Sequence, residues 1–159
     1  MVSVKVQRIS TYTPKAKALQ KAIKAAVKAE AKAVRKDLLQ PTATWAHDVD
    51  VTIDETGENS YEVSTQDEIY GYVDKGTKPH KIRPKRAKAL RFNSKFKAKT
   101  TPNSLKAGKG FSKPPTRFAQ EVNHPGSKPR KFTAQAKKLS KARLNKRIIE
   151  AVQKTVGKK

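Results

Sequence analysis

Apolar residues recur at steps of three and four from Pro14 to Leu39, which is the period of an amphipathic α-helix. Thr13 can cap this helix, Pro14 suits its first turn and Pro41 ends it. The apolar stripe consists of Ala16, Leu19, Ile23, Val27, Ala31, Val34 and Leu38. Lysines fill the other face, so the helix could also lie on DNA or on a membrane surface. The stripe has no aromatic residue that would favour membrane insertion. Because such helices more often pack their apolar stripe on a sheet and leave their lysines in water, we expect that arrangement here.

The sequence period changes to two after Trp45. Val49, Val51 and Ile53 alternate with polar residues, a turn sequence ETGENS follows, and Tyr61 begins a second alternating run, YEVST. This pattern predicts a β-hairpin.

Further short strands are predicted at 69–74, 80–83, 88–92 and 118–122, and a final helix at 133–156. The predicted class is α+β, with an antiparallel sheet of four to six strands from 45–92 and 118–132. The first helix is expected to pack on this sheet.

The length of 159 residues and a hydrophobic content of 35% predict one domain, 1–159, with a small core. The chain has no cysteine, which excludes disulfides, thiolate nucleophiles and Cys-ligated zinc. No apolar run resembles a signal peptide or a membrane span, so we expect no membrane partner.

Charge is distributed unevenly along a chain whose net charge is +24. Residues 48–74 hold nine of the thirteen acids and no lysine or arginine, whereas 75–117 hold fifteen lysines and arginines and no acid. The acidic segment is either a solvated sheet face or a surface that meets a neighbour's basic one in a ring.

The segment 93–117 breaks every period and is predicted to be a flexible basic loop. We expect it to become ordered on assembly and to contact DNA or an acidic partner. Deletion of 95–113 would then leave the isolated fold stable and prevent assembly. Its candidate contact residues are Lys95, Lys97, Lys99, Lys106, Lys109 and Lys113.

Candidates for chemistry are few. His80 and His124 could form a ribonuclease-like acid–base pair, but both stand beside proline in turn sequences, where histidine commonly makes local hydrogen bonds. Asp48, Asp50 and Asp54 could attract a cation but lack the rest of a calcium loop. No phosphate-binding loop or nucleophile elbow is present. We therefore predict no catalytic residue, no metal and no cofactor.

The basic charge makes non-specific binding of DNA or RNA the main alternative function. Aromatic residues are 6% of the chain and form no cluster on which bases would stack. No helix-turn-helix, zinc-finger or RNA-recognition pattern is present, so sequence-specific reading is not expected.

One ordered set of motifs is more specific than the charge. The stretch Gly76-Thr77-x-Pro79-His80-x-Ile82-x-Pro84-Lys85 is followed by Ala87-x-Ala89-Leu90-Arg91-Phe92. After the basic loop come Val122-x-His124-Pro125-Gly126 and Pro129-Arg130-Lys131-Phe132. In this order the chain resembles the head–tail joining, or tail completion, family of long-tailed bacteriophages, which is related to the lambda minor tail protein Z group.

This resemblance implies a structural protein without enzymatic activity. Family members form a ring at the virion neck, between the head connector and the tail tube or tail terminator, through which DNA passes. It implies a ring of six copies, present in the virion and in the host cytoplasm during assembly. The residues implied to contact partners are Tyr72, Gly76, Thr77, Pro79, His80, Ile82, Pro84, Lys85, His124, Pro125, Gly126 and Phe132.

Overall fold

The computed structural model describes residues 14–93, 100, 102–107 and 115–156, and its class is α+β, as predicted. Helix α1 spans Pro14–Leu39 and is followed by a 3-10 turn, Gln40–Thr42. Strands β1 (Thr52–Gly57) and β2 (Ser60–Ser64) precede helix α2 (Glu68–Lys75). Next come β3 (His80–Ile82), β4 (Leu90–Asn93), β5 (Thr116–Ala119) and β6 (Val122–His124), and the last described element is α3 (Phe132–Val156).

The described strands do not form one sheet. They pair two by two in antiparallel ladders, β1 with β2, β3 with β6 and β4 with β5. The hairpin expected from residues 45–65 is confirmed, although its ladder begins only at Thr52. The predicted strand at 118–122 is interrupted at 120–121, between β5 and β6.

The strand predicted at 69–74 is wrong, because this segment is helix α2. The Asp67 carboxylate caps it by accepting a hydrogen bond from the backbone N–H of Tyr70 at 2.6 Å. Tyr70 and Val73, three residues apart, both pack on the core. A short apolar run fits a strand and a buried helix equally well, and the cap decides between them.

Helix α1 packs on α3 as well as on the β1–β2 hairpin. Leu38, near the end of α1, shares a core cluster with Phe132 and Ala136 at the start of α3, whereas Glu30 contacts Arg147 farther along α3. The two helices are therefore antiparallel. The predicted packing of α1 on β-structure is confirmed for the β1–β2 hairpin, and the contact with α3 is a further one that was not predicted.

An ion cluster lies between these helices. The carboxylate of Glu30, with only 4% of the side chain exposed, accepts hydrogen bonds from Nε of Arg143 and Nε of Arg147, each at 2.9 Å. Arg143 also donates to Asp37 at 2.5 Å, and this carboxylate is the main cause of the raised pKa of Arg143. Two guanidinium groups thus compensate the buried charge of Glu30.

The hydrophobic core is small, as the composition predicted. Its buried residues are Leu38, Val49, Val51, Tyr70, Leu105, Phe132 and Ala136. Phe132 is fully buried and lies 5.8 Å, between ring centroids, from Tyr70. Although the family resemblance implied a partner contact for Phe132, its side chain belongs to the core and presents no surface.

The predicted flexible loop 93–117 is attached to the domain in its middle. Leu105 is buried in the core cluster, Thr100 is buried, and the N–H of Asn103 donates to the carbonyl of Arg130 at 2.9 Å. Removal of 95–113 would therefore open the core, contrary to expectation. Lys106 is exposed in this anchored part, whereas Lys95, Lys97, Lys99, Lys109 and Lys113 lie outside the described residues.

We predict that Phe132→Ala lowers the free energy of unfolding by about 3–5 kcal/mol, because it removes a fully buried ring from a small core. Phe118→Ala is the matched control, since that ring is 70% exposed and its loss should change stability by less than about 0.5 kcal/mol. Urea denaturation of both variants measures the difference. Equal losses would contradict this assignment of the core.

Candidate partner-binding surface

The two motif turns, fifty residues apart in sequence, meet in one junction. Thr77 and Ser127 exchange backbone hydrogen bonds of 3.0 and 3.1 Å, and their hydroxyl oxygens lie 3.1 Å apart. The structure thus brings Gly76 against Ser127 and Pro129, and Gly126 against Thr77 and Pro79, with Pro125 next to Gly126 in the chain. We call this contact the turn junction.

Both of these positions in the turn junction require glycine, because neither the surrounding space nor the backbone angle φ admits a side chain. Gly76 has φ of 77° and Gly126 has φ of 82°, in the left-handed region. A Cβ at Gly76 would lie 2.5 Å from the carbonyl oxygen of Ser127, and one at Gly126 would overlap the carbonyl oxygen of Thr77. The two backbone segments can approach each other this closely only because neither glycine has a side chain.

The rings of two histidines lie against each other, tilted by 34°, beside the turn junction. His80 and His124 are register partners in the β3–β6 ladder, with ring centroids 5.0 Å apart. Nδ1 of His80 is 2.9 Å from the carbonyl oxygen of Lys78, and Nδ1 of His124 accepts from the N–H of Gly126 at 3.1 Å. These bonds are the local turn contacts that the proline context predicted.

A basic ribbon extends from the turn junction. It comprises residues 77–93 and 115–127, in which the β3–β6 and β4–β5 ladders follow each other. The ribbon has eight lysines and arginines and one acid, Glu121. Lys81 and Arg83 form salt bridges with Glu121 and lower the pKa of its carboxyl. Pro84 and Lys85 lie in the segment between β3 and β4.

The outer half of the basic ribbon presents an aromatic ring beside arginines. Phe118 is 70% exposed and pairs across the β4–β5 ladder with Arg91, while Phe92 pairs with Arg117. Residues directly opposite in an antiparallel pair share a face. The Arg91–Phe118 face is exposed, and Ile82 nearer the junction is also exposed.

An apolar pocket adjoins the turn junction, because Ser127 contributes to both. It has a volume of about 340 Å³, and its apolar lining includes Trp45, Ile69 and Val73. The basic residues Lys128 and Arg130 also line it. Ile69 is 51% exposed, and Tyr72, one helical turn further along α2, is exposed as well. We call this site the Trp45 pocket.

An acidic depression adjoins the Trp45 pocket. Its lining includes Asp48, Asp50 and Asp67, and its volume is about 270 Å³. Nε2 of His47, which lines the Trp45 pocket, lies 2.9 Å from the Asp67 carboxylate, so the two cavities are neighbours. The hydrogen bond from Tyr70 is the main cause of the lowered pKa of Asp67, and His47 adds to it.

Charges of both signs are left without salt bridges within the described part of the chain. On the acidic side these are Asp48, Asp50, Asp54, Glu58, Glu62 and Glu68, all exposed. On the basic ribbon they are Lys78, Lys85, Arg86, Lys88, Arg91 and Arg117, also exposed. The acids of this set lie within residues 48–68, and the cations lie on the basic ribbon.

No helix among the described residues is long and apolar enough to cross a membrane. Within residues 14–93, 100, 102–107 and 115–156, no group of three or more His, Cys, Asp or Glu side chains could hold a metal ion, including Asp48, Asp50 and Asp54.

Neither the Trp45 pocket nor the Glu30 cluster was predicted from the sequence. Both depend on contacts between distant segments, and no local pattern shows that Arg143 and Arg147 reach Glu30. The exposure of Phe118 was also missed, because an aromatic residue in a strand pattern suggests burial.

Comparisons of the chain with protein-family models, with curated proteins and with solved structures find no match.

We predict opposite effects for two Gly→Ala substitutions. Gly126→Ala should lower the free energy of unfolding by more than about 1 kcal/mol, because of its positive φ and its contact with Thr77. Gly71→Ala should raise it by about 0.5–1 kcal/mol, since this position is inside α2 with no atom near the new Cβ. Urea denaturation measures both. A neutral Gly126→Ala would contradict the close crossing.

We predict that the stability contributed by the Asp67 charge disappears in acid. Because its folded pKa is lowered, the contribution is complete above the unfolded pKa and is lost as pH falls through the folded pKa. Asp67→Asn keeps an N-cap but removes the charge. Asp67→Ala removes both, and loss of the cap should lower the free energy of unfolding by about 1 kcal/mol. Unfolding between about pH 6 and pH 3 should show the stability difference between the unsubstituted protein and the Asp67→Asn variant shrinking. A constant difference would exclude the charge as its cause.

Proposed function

We propose that this protein is a structural subunit of the neck of a long-tailed bacteriophage. It joins the head connector to the tail as a ring, which by the family resemblance has six copies. DNA passes through this ring without being read in sequence. The protein is located in the virion, and in the host cytoplasm before assembly.

The observation that carries this proposal is the turn junction. The motifs on which the family resemblance rests, around Gly76-Thr77 and around His124-Pro125-Gly126, come from distant parts of the chain and contact each other directly. A chance similarity of short turn sequences gives no reason for such a contact. Their joint position at the base of an exposed ribbon fits a role in presenting that ribbon to partners.

The surface chemistry fits assembly. An acidic surface and the basic ribbon occupy different parts of the same subunit, as a head-to-tail contact between identical copies requires. Tyr72 and Ile82, two of the residues assigned to partner contact, are exposed. The glycines and prolines of the motif act through backbone shape rather than through contact of their own side chains.

A second candidate function is non-specific binding of DNA or RNA. The exposed arginines of the basic ribbon, next to Phe118, favour it, since such surfaces contact phosphates and stack on bases. A dedicated binder retains useful affinity at physiological salt, whereas incidental attraction by a chain of charge +24 is lost.

We predict that the protein is a constituent of phage particles from the source culture. An antibody raised against it should place gold at the head–tail junction of negatively stained particles, and immunoblots of denatured particles should contain the protein. The blot controls for an epitope that is buried in the neck. Absence from denatured particles would exclude the neck function and leave nucleic-acid binding as the leading candidate.

A further inference from the structure

We propose that the basic ribbon of one copy docks on the next copy, with Phe118 in the Trp45 pocket and Arg91, its partner across the β4–β5 ladder, against the acidic depression. This contact rests on the proposed function, for which it supplies the bond between ring subunits. The occupant is a second copy of this chain.

Phe118 and the Trp45 pocket fit each other in chemistry and size. Phe118 exposes 70% of its surface, an unfavourable state for an aromatic ring in water. The pocket, with Trp45, Ile69 and Val73 on its apolar side, has about 340 Å³. Because an enclosed cavity of about 150 Å³ accepts benzene, this volume is sufficient for a phenyl ring.

Charge favours one orientation of the docked ribbon. Arg91, directly opposite Phe118 and on the same face of the β4–β5 ladder, would accompany the ring to the pocket, whereas Arg117 lies on the other face. Lys128 and Arg130 in the pocket lining would repel the guanidinium group of Arg91, whereas Asp48 and Asp50 lie beyond the His47–Asp67 pair. One orientation therefore places Arg91 near the carboxylates.

A contact of this kind is heterologous, because the ribbon and the pocket are different surfaces. Repetition of a heterologous contact gives a closed ring or an open filament, not a closed dimer. Ser127 belongs to the pocket wall and also to the base of the ribbon. The chain from Ser127 back to Phe118 reaches roughly 30 Å when extended, so the ribbon is long enough to span to a neighbour.

A second copy explains more of the surface than a nucleic acid does. Duplex DNA would use the arginines, but it would leave the Trp45 pocket empty and would be repelled by the exposed carboxylates from 48 to 68. A contact between two copies uses all four features, because the Phe118 side chain and the cations of one ribbon meet the Trp45 pocket and the carboxylates of the next copy.

Cysteine cross-linking tests this contact in the full-length chain, which has no cysteine of its own. The double variant Phe118→Cys/Ile69→Cys, oxidised at low salt without DNA, should give a ladder of dimers and higher oligomers on a non-reducing gel. A mixture of the two single variants should stop at dimers, since each copy then has one reactive end. The matched control is Phe118→Cys/Ile149→Cys, in which the second position is equally exposed but lies on α3. It should remain monomeric.

Charge exchange provides a second readout in the cross-linking background. Arg91→Glu should reduce the cross-linked ladder several-fold, and Asp48→Lys/Asp50→Lys in the same chain should restore it. Arg117→Glu, on the other face of the β4–β5 pair, is the matched control and should leave the cross-linked ladder unchanged. Circular dichroism establishes that each variant is folded.

Three results would overturn the proposal. The first is the absence of a ladder from folded Phe118→Cys/Ile69→Cys protein, and the second is equal cross-linking of Phe118→Cys alone, which indicates a symmetric ribbon-to-ribbon contact. The third is that Arg91→Glu abolishes retention on duplex DNA at physiological salt but leaves the cross-linked ladder intact, which makes nucleic acid the ribbon's partner.

The cross-link and the virion assay fail independently. A ladder from protein that is absent from phage particles would preserve the docking contact and refute the neck function. Gold at the neck of particles that contain the Phe118→Cys/Ile69→Cys protein, with no cross-link after oxidation, would preserve the neck function and refute the docking contact.

Discussion

The crossing of two backbones at Gly76 and Gly126 is the constraint on which the rest of the partner surface depends. It fixes where the basic ribbon leaves the domain, because the ribbon begins on one side at Thr77 and ends on the other at Ser127. It also sets one wall of the Trp45 pocket, to which Ser127 contributes. A single backbone contact therefore determines the relative placement of the two surfaces that we assign to assembly.

Residues 130–133, which follow the turn junction in the chain, connect it to the core. The N–H groups of Arg130 and Lys131 donate to the carbonyls of Val73 and Asp74 at the end of α2, and the N–H of Thr133 donates to the Asp74 carboxylate. Phe132 then enters the core directly after these bonds. A core drawn from a sequence that is only 35% hydrophobic is thus supplemented by backbone hydrogen bonds between segments far apart in the chain.

The sequence was sufficient for features that depend on neighbours along the chain. The bounds of α1 and nearly those of α3 followed from periodicity and from proline, and the β1–β2 hairpin followed from alternation around a turn. Features that depend on contacts between distant residues were not accessible. The anchoring of Leu105 is one of these, since it depends on a core assembled from other segments. The helix at Glu68–Lys75 was missed for a local reason, because a short apolar run also fits a strand and only the cap by the Asp67 side chain decides between them. For the partner surface, the turn residues were found by motif, whereas the Trp45 pocket exists only after α2 and residues 127–130 meet.

Glu30 gives the helix pair a unique alignment. Its carboxylate is held by Arg143 and Arg147, which are one helical turn apart on α3. Sliding α1 along α3 by one turn, about 5.4 Å, would move the buried charge away from one guanidinium. Apolar side chains alone tolerate such slips, because one alanine or valine replaces another at similar depth. The ion cluster therefore fixes the register of α1 against α3, including the parts of the two helices where their apolar contacts are sparse.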